Sequence, residues 1–307
     1  MTRRKKRRRS LKGQILSFCA AIAFLAAIAL FAIYLRSYID DRMILKQQDE
    51  LRDMFESGAP KQTSFLFPTA YAEEAEPERP VAERFTELYR INPDVIGWII
   101  AGNEVSTPVV YRDNTYYMDH DFYGKQSAEG TVFADELNAD WENDPYLILY
   151  GHNMKNGSMF GNMDHYMELD YFKANSTIAL YSLYSDEPTY YVPFAAVDAS
   201  VAKEHDSYFF LRRFSVFEPW VLSDEERENT LTPEEIAAVD ESIAEIRARS
   251  MYAVPEIEVD STDRILALVT CSYELPDARF TLFCRALREG ETPESVAAIV
   301  QNATAMN

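Results

Sequence analysis

The chain has 307 residues and a formal charge of −20, from 30 Lys and Arg against 50 Asp and Glu. Hydrophobic residues make up 47% and aromatics 13%, enough to bury a core, which excludes a disordered acidic tail. Only 10 Gly and 14 Pro exclude a collagen-like or low-complexity chain, and the length suits one large domain or two small ones.

The charge is divided unevenly. Residues 1–12 (MTRRKKRRRSLK) carry eight Lys and Arg and no acid, residues 13–35 carry no charge, and the remainder carries −28. The 23-residue uncharged run GQILSFCAAIAFLAAIALFAIYL is long enough at about 1.5 Å per residue to cross a hydrocarbon layer of about 30 Å. It reads as one transmembrane helix. Eight cations precede it and a mixed flank follows (Arg36, Asp40, Asp41, Arg42), so the N-terminus is expected in the cytoplasm and everything after residue 36 outside. Ala70-Tyr71-Ala72 has the small-x-small pattern of a signal-peptidase site but lies over thirty residues beyond the apolar run, which favours an anchor over a cleaved signal. The basic tail suits anionic lipid at the membrane surface; nucleic acid is an unsuitable partner for so acidic an ectodomain.

Residues 36–80 read as an extracytoplasmic stalk and linker: a helix over 37–56, with Met43, Ile44, Leu51, Met54 and Phe55 among charges, then a stretch rich in Pro, Glu and Ala. The compact domain is expected over 81–290, opening on VAERFTELYRIN, where Phe85, Leu88 and Tyr89 fall at helical spacing. From residue 95 short β-rich runs take over, at 95–100, 108–111, 130–134, 146–152, 177–183, 190–197, 265–271 and 279–287. These eight runs, with turn signals between them, predict a mainly β fold: a closed or nearly closed barrel of about eight strands, with N-terminal helices. A helical insertion over 233–248 precedes the 265–271 strand. Thr232-Pro233-Glu234-Glu235 supplies its N-cap, N1 proline and acidic first turn, and Ile236, Val239, Ile243 and Ile246 follow at helical spacing. Residues 291–307 form a C-terminal helix and tail, starting at Thr292-Pro293-Glu294.

Of three cysteines, Cys19 sits in the apolar run, leaving Cys271 and Cys284 outside it. Each belongs to a β-run of one hairpin. A turn centred near Leu275-Pro276 puts Cys284 well past the partner of Cys271, which argues against a disulfide. A cysteine ending an apolar strand (ILALVTC) is often a small buried hydrophobe, but the hairpin returns Arg279 alongside Cys271. A guanidinium there favours the thiolate and can bind a developing oxyanion. His152 follows the strand YLILY and opens the turn GHNMKNG, putting an imidazole at a strand end. His120, His165 and His205 lie in polar or aromatic loops and serve hydrogen bonding or nothing specific. The aromatic-rich segment 208–220 is core for most of its members, or a wall of a peptide groove.

These residues carry a resemblance. INPDVIGWI (91–99), TPVVYRDNTYYMDHDFYGKQSAEGTVFAD (107–135), LYGHNMKNGSMFGNM (149–163) and VTCSYELPDAR (269–279) resemble, in order, segments of the class B sortases. These are membrane-anchored cysteine transpeptidases of Gram-positive-type bacteria, and the match runs from about Ile91 to Leu287. It implies the sortase barrel and His152, Cys271 and Arg279 as the catalytic three, with the 233–248 helix as the class B insertion. It further implies cleavage of a C-terminal sorting signal of secreted proteins after a Thr-like residue, through a thioacyl-enzyme. The acyl group would pass to an amine of the cell wall or a pilin, with no metal or organic cofactor. Where many class B members have Ser two residues before the cysteine, this chain has Val269. The rival readings are an L,D-transpeptidase-like enzyme, in which Arg follows Cys by two residues rather than eight, and a non-catalytic anchored binding or scaffolding barrel.

Overall fold

The computed structural model describes residues 11–58, 79–200, 232–271 and 278–306, the side chains of 11–17, Ser200 and Cys271 excepted. The basic residues 1–10, the small-x-small site at 70–72 and the aromatic segment 208–220 lie outside that description. The chain divides into two units, residues 1–47 and 48–307.

Helix α1 spans Leu11–Ser57 without interruption, because no Gly or Pro occurs between Gln14 and Ser57; Gly58 follows, its N–H on the Met54 carbonyl at 3.0 Å. Within the first unit its apolar side chains, Phe24, Leu25, Phe31 and Ile33 among them, are exposed on all sides. By length and composition this helix is able to cross a membrane.

The second unit is a closed barrel in the order β1-β2-β3-β4-β8-β9-β6-β5. Its strands are β1 (Val95–Ala101), β2 (Val105–Val110), β3 (Phe133–Ala134), β4 (Tyr146–Tyr150), β5 (Ile178–Ser182), β6 (Pro188–Ser200), β8 (Ile265–Cys271) and β9 (Ala278–Ala286). Each of the eight runs expected from sequence supplies one strand. Pairing is antiparallel except for β2 with β3 and β4 with β8. β4 carries YLILY, four of its five residues buried, as a strand covered on both faces must be. Outside the barrel, β7 (Tyr252–Ala253) pairs with β10 (Thr304–Ala305), a ladder too short to leave an alternation in sequence. Short helices α2 (Thr86–Ile91) and α3 (Leu169–Ala174) flank it. Helix α4 (Pro233–Arg249) starts at a capping box made by Thr232 and Glu235, and buries Val239, Ile243 and Ile246, the expected spacing. Helix α5 (Pro293–Val300) has a second capping box, Thr292 with Ser295.

The second unit takes in the last turns of α1. Leu51, Met54 and Phe55, on the last turns of α1, are 3%, 6% and 3% exposed and join Phe85, Leu88, Val95 and Trp98 in a hydrophobic cluster. The Phe55 ring stacks on Trp98 at 4.5 Å and 5° and meets Phe85 and Tyr181 edge-on, while the Arg84 guanidinium covers it at 4.8 Å. What reads as stalk among charges is a half-turn stripe that only the folded barrel can cover.

Removing the Phe55 ring tests this boundary. Phe55→Ala is expected to destabilise the second unit by about 3–5 kcal/mol, the usual cost of deleting a buried aromatic. Chemical denaturation of the full chain reads it; an unchanged midpoint would return residues 48–57 to the stalk.

Candidate active site

Strand register brings the three candidate residues to one end of the barrel. β4 runs parallel to β8 from Tyr146 opposite Ile265 to Tyr150 opposite Val269, and the Gly151 N–H continues the ladder to the Val269 carbonyl at 3.1 Å. One step further along each chain, past Gly151 and Thr270, come His152 and Cys271. β8 is antiparallel to β9, with Cys271 opposite Arg279. His152, Cys271 and Arg279 therefore stand on three successive backbone segments, each about 5 Å from the next.

The turn bearing His152 is built on close packing. A Cβ on Gly151 would lie 2.6 Å from Cγ of Phe160, a fully buried ring, so only glycine lets the turn close over it. The Phe160 N–H returns to the His152 carbonyl at 3.0 Å, and Asn153 bridges Met159. Met159 holds φ 54°, the one non-glycine among the described residues at positive φ, and its sulfur accepts a weak bond from the Gln48 amide of α1 at 3.9 Å. The end of α1 thus touches the turn that presents the imidazole.

Nε2 of His152 lies 2.7 Å from the carbonyl oxygen of Met118. A carbonyl only accepts, so Nε2 carries the hydrogen and proton exchange falls to Nδ1. Arg279 donates from Nη1 to its neighbour's carbonyl, Ala278 O, at 3.0 Å, and among the described residues no carboxylate pairs with it. A cavity of about 290 Å³ opens between these groups, lined further by Asn114, Met118, Phe133, Tyr150, Val269 and Thr270. Sequence reasoning did not single out Asn114, Met118, Tyr150 or Thr270. Two are held by visible bonds: Asn114 Oδ1 accepts from the Glu136 N–H at 2.9 Å, and the Tyr150 hydroxyl donates to Asp135 at 2.8 Å. Thr270 Oγ1 is buried with no partner among the described residues. Val269 presents an isopropyl group to the cavity where a Ser would present a hydroxyl.

The other candidates stand apart. Cys284 is free and fully buried opposite Leu266, five positions along β8 from Cys271, and burial pushes its thiol well up. His165 pairs with Glu104 at 3.2 Å, while His205 lies outside the described residues. His120 is stacked on Tyr116. Among the described residues no group of His, Cys, Asp or Glu side chains converges as metal ligands would.

No family model matches the chain. It is similar to Sortase B of Listeria monocytogenes serovar 1/2a, 28% identical over 196 residues that cover 63% of this chain and 69% of that one. Sortase B of Staphylococcus aureus is 24% identical over 145 residues, covering 47% of this chain and 53% of the relative. Among solved structures, Clostridium perfringens sortase B superposes with a TM-score of 0.53 at 26% identity, over 66% of this chain and 98% of that one. Bacillus anthracis sortase B in complex with AAEK1 shares the fold with a TM-score of 0.57 at 22% identity, over 82% of this chain and all of the other. Barrel and relatives together define a cysteine transpeptidase of the sortase type. Within that type, the proteins it resembles are class B sortases.

A thiol reagent distinguishes the two cysteines of the second unit. Brief alkylation of the native full chain is expected to modify Cys271 and spare Cys284, which reacts only after denaturation, as peptide mapping by mass spectrometry would show. Native labelling of Cys284 would contradict its placement in the core.

Proposed function

We propose that the chain cleaves a C-terminal sorting signal of secreted proteins after a Thr-like residue, through a thioacyl-enzyme on Cys271, and passes the acyl group to an amine of a cell-wall precursor or a pilin. The observation that carries this is the register that sets His152, Cys271 and Arg279 on adjoining segments, with His152 and Arg279 lining one cavity. The Cys271 thiolate attacks the carbonyl carbon, and the oxyanion that forms accepts hydrogen bonds from the Arg279 guanidinium. Collapse breaks the C–N bond as the imidazolium of His152 gives the proton on Nδ1 to the departing amine. The incoming amine then attacks the thioester, returns a proton to Nδ1 and expels the thiolate, so proton and charge are restored after each cycle. The Met118 carbonyl, fixed on Nε2, holds one ring orientation through both half-reactions. The apolar lining from Phe133, Met118 and Val269 favours aminolysis over hydrolysis by limiting water around the thioester.

We further infer that α1 anchors the chain with its N-terminus in the cytoplasm, so that the barrel meets secreted substrates held at the same membrane. The eight cations before the apolar run support that orientation.

The chemistry is tested with the full chain in detergent, a library of sorting-type peptides, and oligoglycine, diaminopimelate-type or lysine amines, with products followed by mass spectrometry. Amide product is expected, with slow hydrolysis when no amine is supplied. His152→Ala is expected to lose about 10²–10⁴-fold in turnover. Arg279→Lys keeps charge but loses the planar fork and should fall markedly. Cleavage giving only free acid with every amine would make the protein a hydrolase, and normal turnover of Arg279→Lys would leave Arg279 a bystander.

Topology is tested by adding protease to intact spheroplasts, where the barrel is expected to be digested. Its protection would reverse the orientation.

A further inference from the structure

The carbonyl that holds His152 belongs to a short turn, and each carbonyl of that turn is occupied. Along Tyr116-Tyr117-Met118-Asp119-His120, the Tyr117 carbonyl accepts from the Thr131 N–H at 3.0 Å, Asp119 from the Ser127 N–H at 2.8 Å, and His120 from the Thr131 hydroxyl at 3.0 Å. The Tyr116 carbonyl accepts from Nδ1 of His120 at 2.8 Å, four residues on. Met118 alone sends its carbonyl to a catalytic candidate. The facing loop is close enough that a Cβ on Gly130 would clash with the Tyr117 and Met118 oxygens. The turn is thus clamped from outside by residues 127–131 and from within by His120.

We propose that His120 is a positioning residue for His152, acting through the Met118 carbonyl; this rests on the transpeptidase reading for its kinetic consequence only. The His120 ring lies flat on Tyr116, with centroids 4.1 Å apart and planes 10° from parallel, while Nδ1 closes the turn onto Tyr116 O. The same nitrogen is 2.7 Å from Oδ1 of Asp119, and since both partners only accept, Nδ1 carries the hydrogen and shares it. Loss of that closure leaves the Tyr116 carbonyl only the long bond from the Asp119 N–H, at 3.4 Å, and so loosens the peptide plane between Met118 and Asp119. Nε2 of His152 then loses its fixed acceptor. The neutral His152 ring then no longer prefers hydrogen on Nε2.

The test uses the full chain in detergent with its four histidines ¹⁵N-labelled, comparing wild type with His120→Ala, His120→Phe and His120→Asn. His120→Phe keeps a ring on Tyr116 and so guards against simple unfolding, and His120→Asn puts an amide N–H near the lost Nδ1. In wild type the ring shifts of His152 should report hydrogen on Nε2. In His120→Ala and His120→Phe the Nδ1-protonated tautomer should appear. Transpeptidation is expected to lose on the order of tenfold to a hundredfold in kcat with KM changed less than about twofold, since the lost quantity is orientation. His120→Asn should restore both. Unchanged His152 ring shifts in both folded variants would overturn the proposal, whatever happens to melting temperature or turnover. Failure of the wild type to turn over any peptide would sink the transpeptidase reading and leave the ring shifts to decide this one.

Discussion

The site depends on one pairing, the parallel ladder between β4 and β8. A slip by one residue would turn every side chain of one strand to the other face and separate His152 from the end of β8. The ladder is secured at its far end by bonds that have no catalytic content. Asn138 donates to the Tyr146 carbonyl at 2.7 Å and accepts from the Ile148 N–H at 3.0 Å, capping the start of β4. The Ile265 N–H reaches the Pro145 carbonyl at 2.7 Å, and Arg264 donates to the carbonyls of Asp144 and Trp141. Residues 146–149 and 265–270 are all buried, so no alternation of apolar and polar faces sets the register, and these end bonds fix it.

Two arginines on β9 show how the barrel divides structure from chemistry. Arg285 is 1% exposed and uses four of its five N–H donors: it forks onto Glu291 at 2.6 and 2.8 Å and donates to the carbonyls of Glu258 and Ala286. The guanidinium holds the Glu291 carboxyl below its ordinary range, so this pair adds stability above the unfolded carboxylate's titration and loses it as pH falls. Arg279, six positions back on the same strand, spends one N–H on a backbone carbonyl and has no carboxylate partner among the described residues. A buried charge must be paired for the fold to tolerate it, whereas a charge left unpaired at a cavity mouth keeps its donors for a ligand.

Much of this was legible in the sequence, for identifiable reasons. The barrel strands showed because each alternates or runs apolar between turn residues, and α4 and α5 showed because their capping boxes are written in consecutive letters. His152, Cys271 and Arg279 stood out because strand ends and one hairpin fix their relations within short spans. The Leu51–Phe55 stripe did not show its role, since three apolar residues among charges suit a stalk as well as a docked helix until Trp98 is known to face them. The Met118 carbonyl was invisible for a deeper reason. A backbone oxygen has no residue identity, and only the meeting of two distant loops, 34 residues apart, makes it a partner of His152.

The contrast between Cys284 and Cys271 extends the same logic to the proposed nucleophile. Both lie on paired strands of one hairpin, so neither residue type nor strand membership distinguishes them. Position along the ladder does. Cys284 faces Leu266 in mid-barrel, where burial disfavours a thiolate and no substrate carbonyl can approach. Cys271 is the last residue of β8, where the ladder stops, His152 follows on the parallel side and Arg279 stands on the antiparallel side. A strand terminus flanked by one parallel and one antiparallel neighbour receives an imidazole from a chain leaving the barrel and a guanidinium from a chain entering it. That arrangement needs no long-range coincidence of loops for its first-order geometry. What the loops add, through the 116–120 turn and the Gly151–Gly161 turn, is orientation.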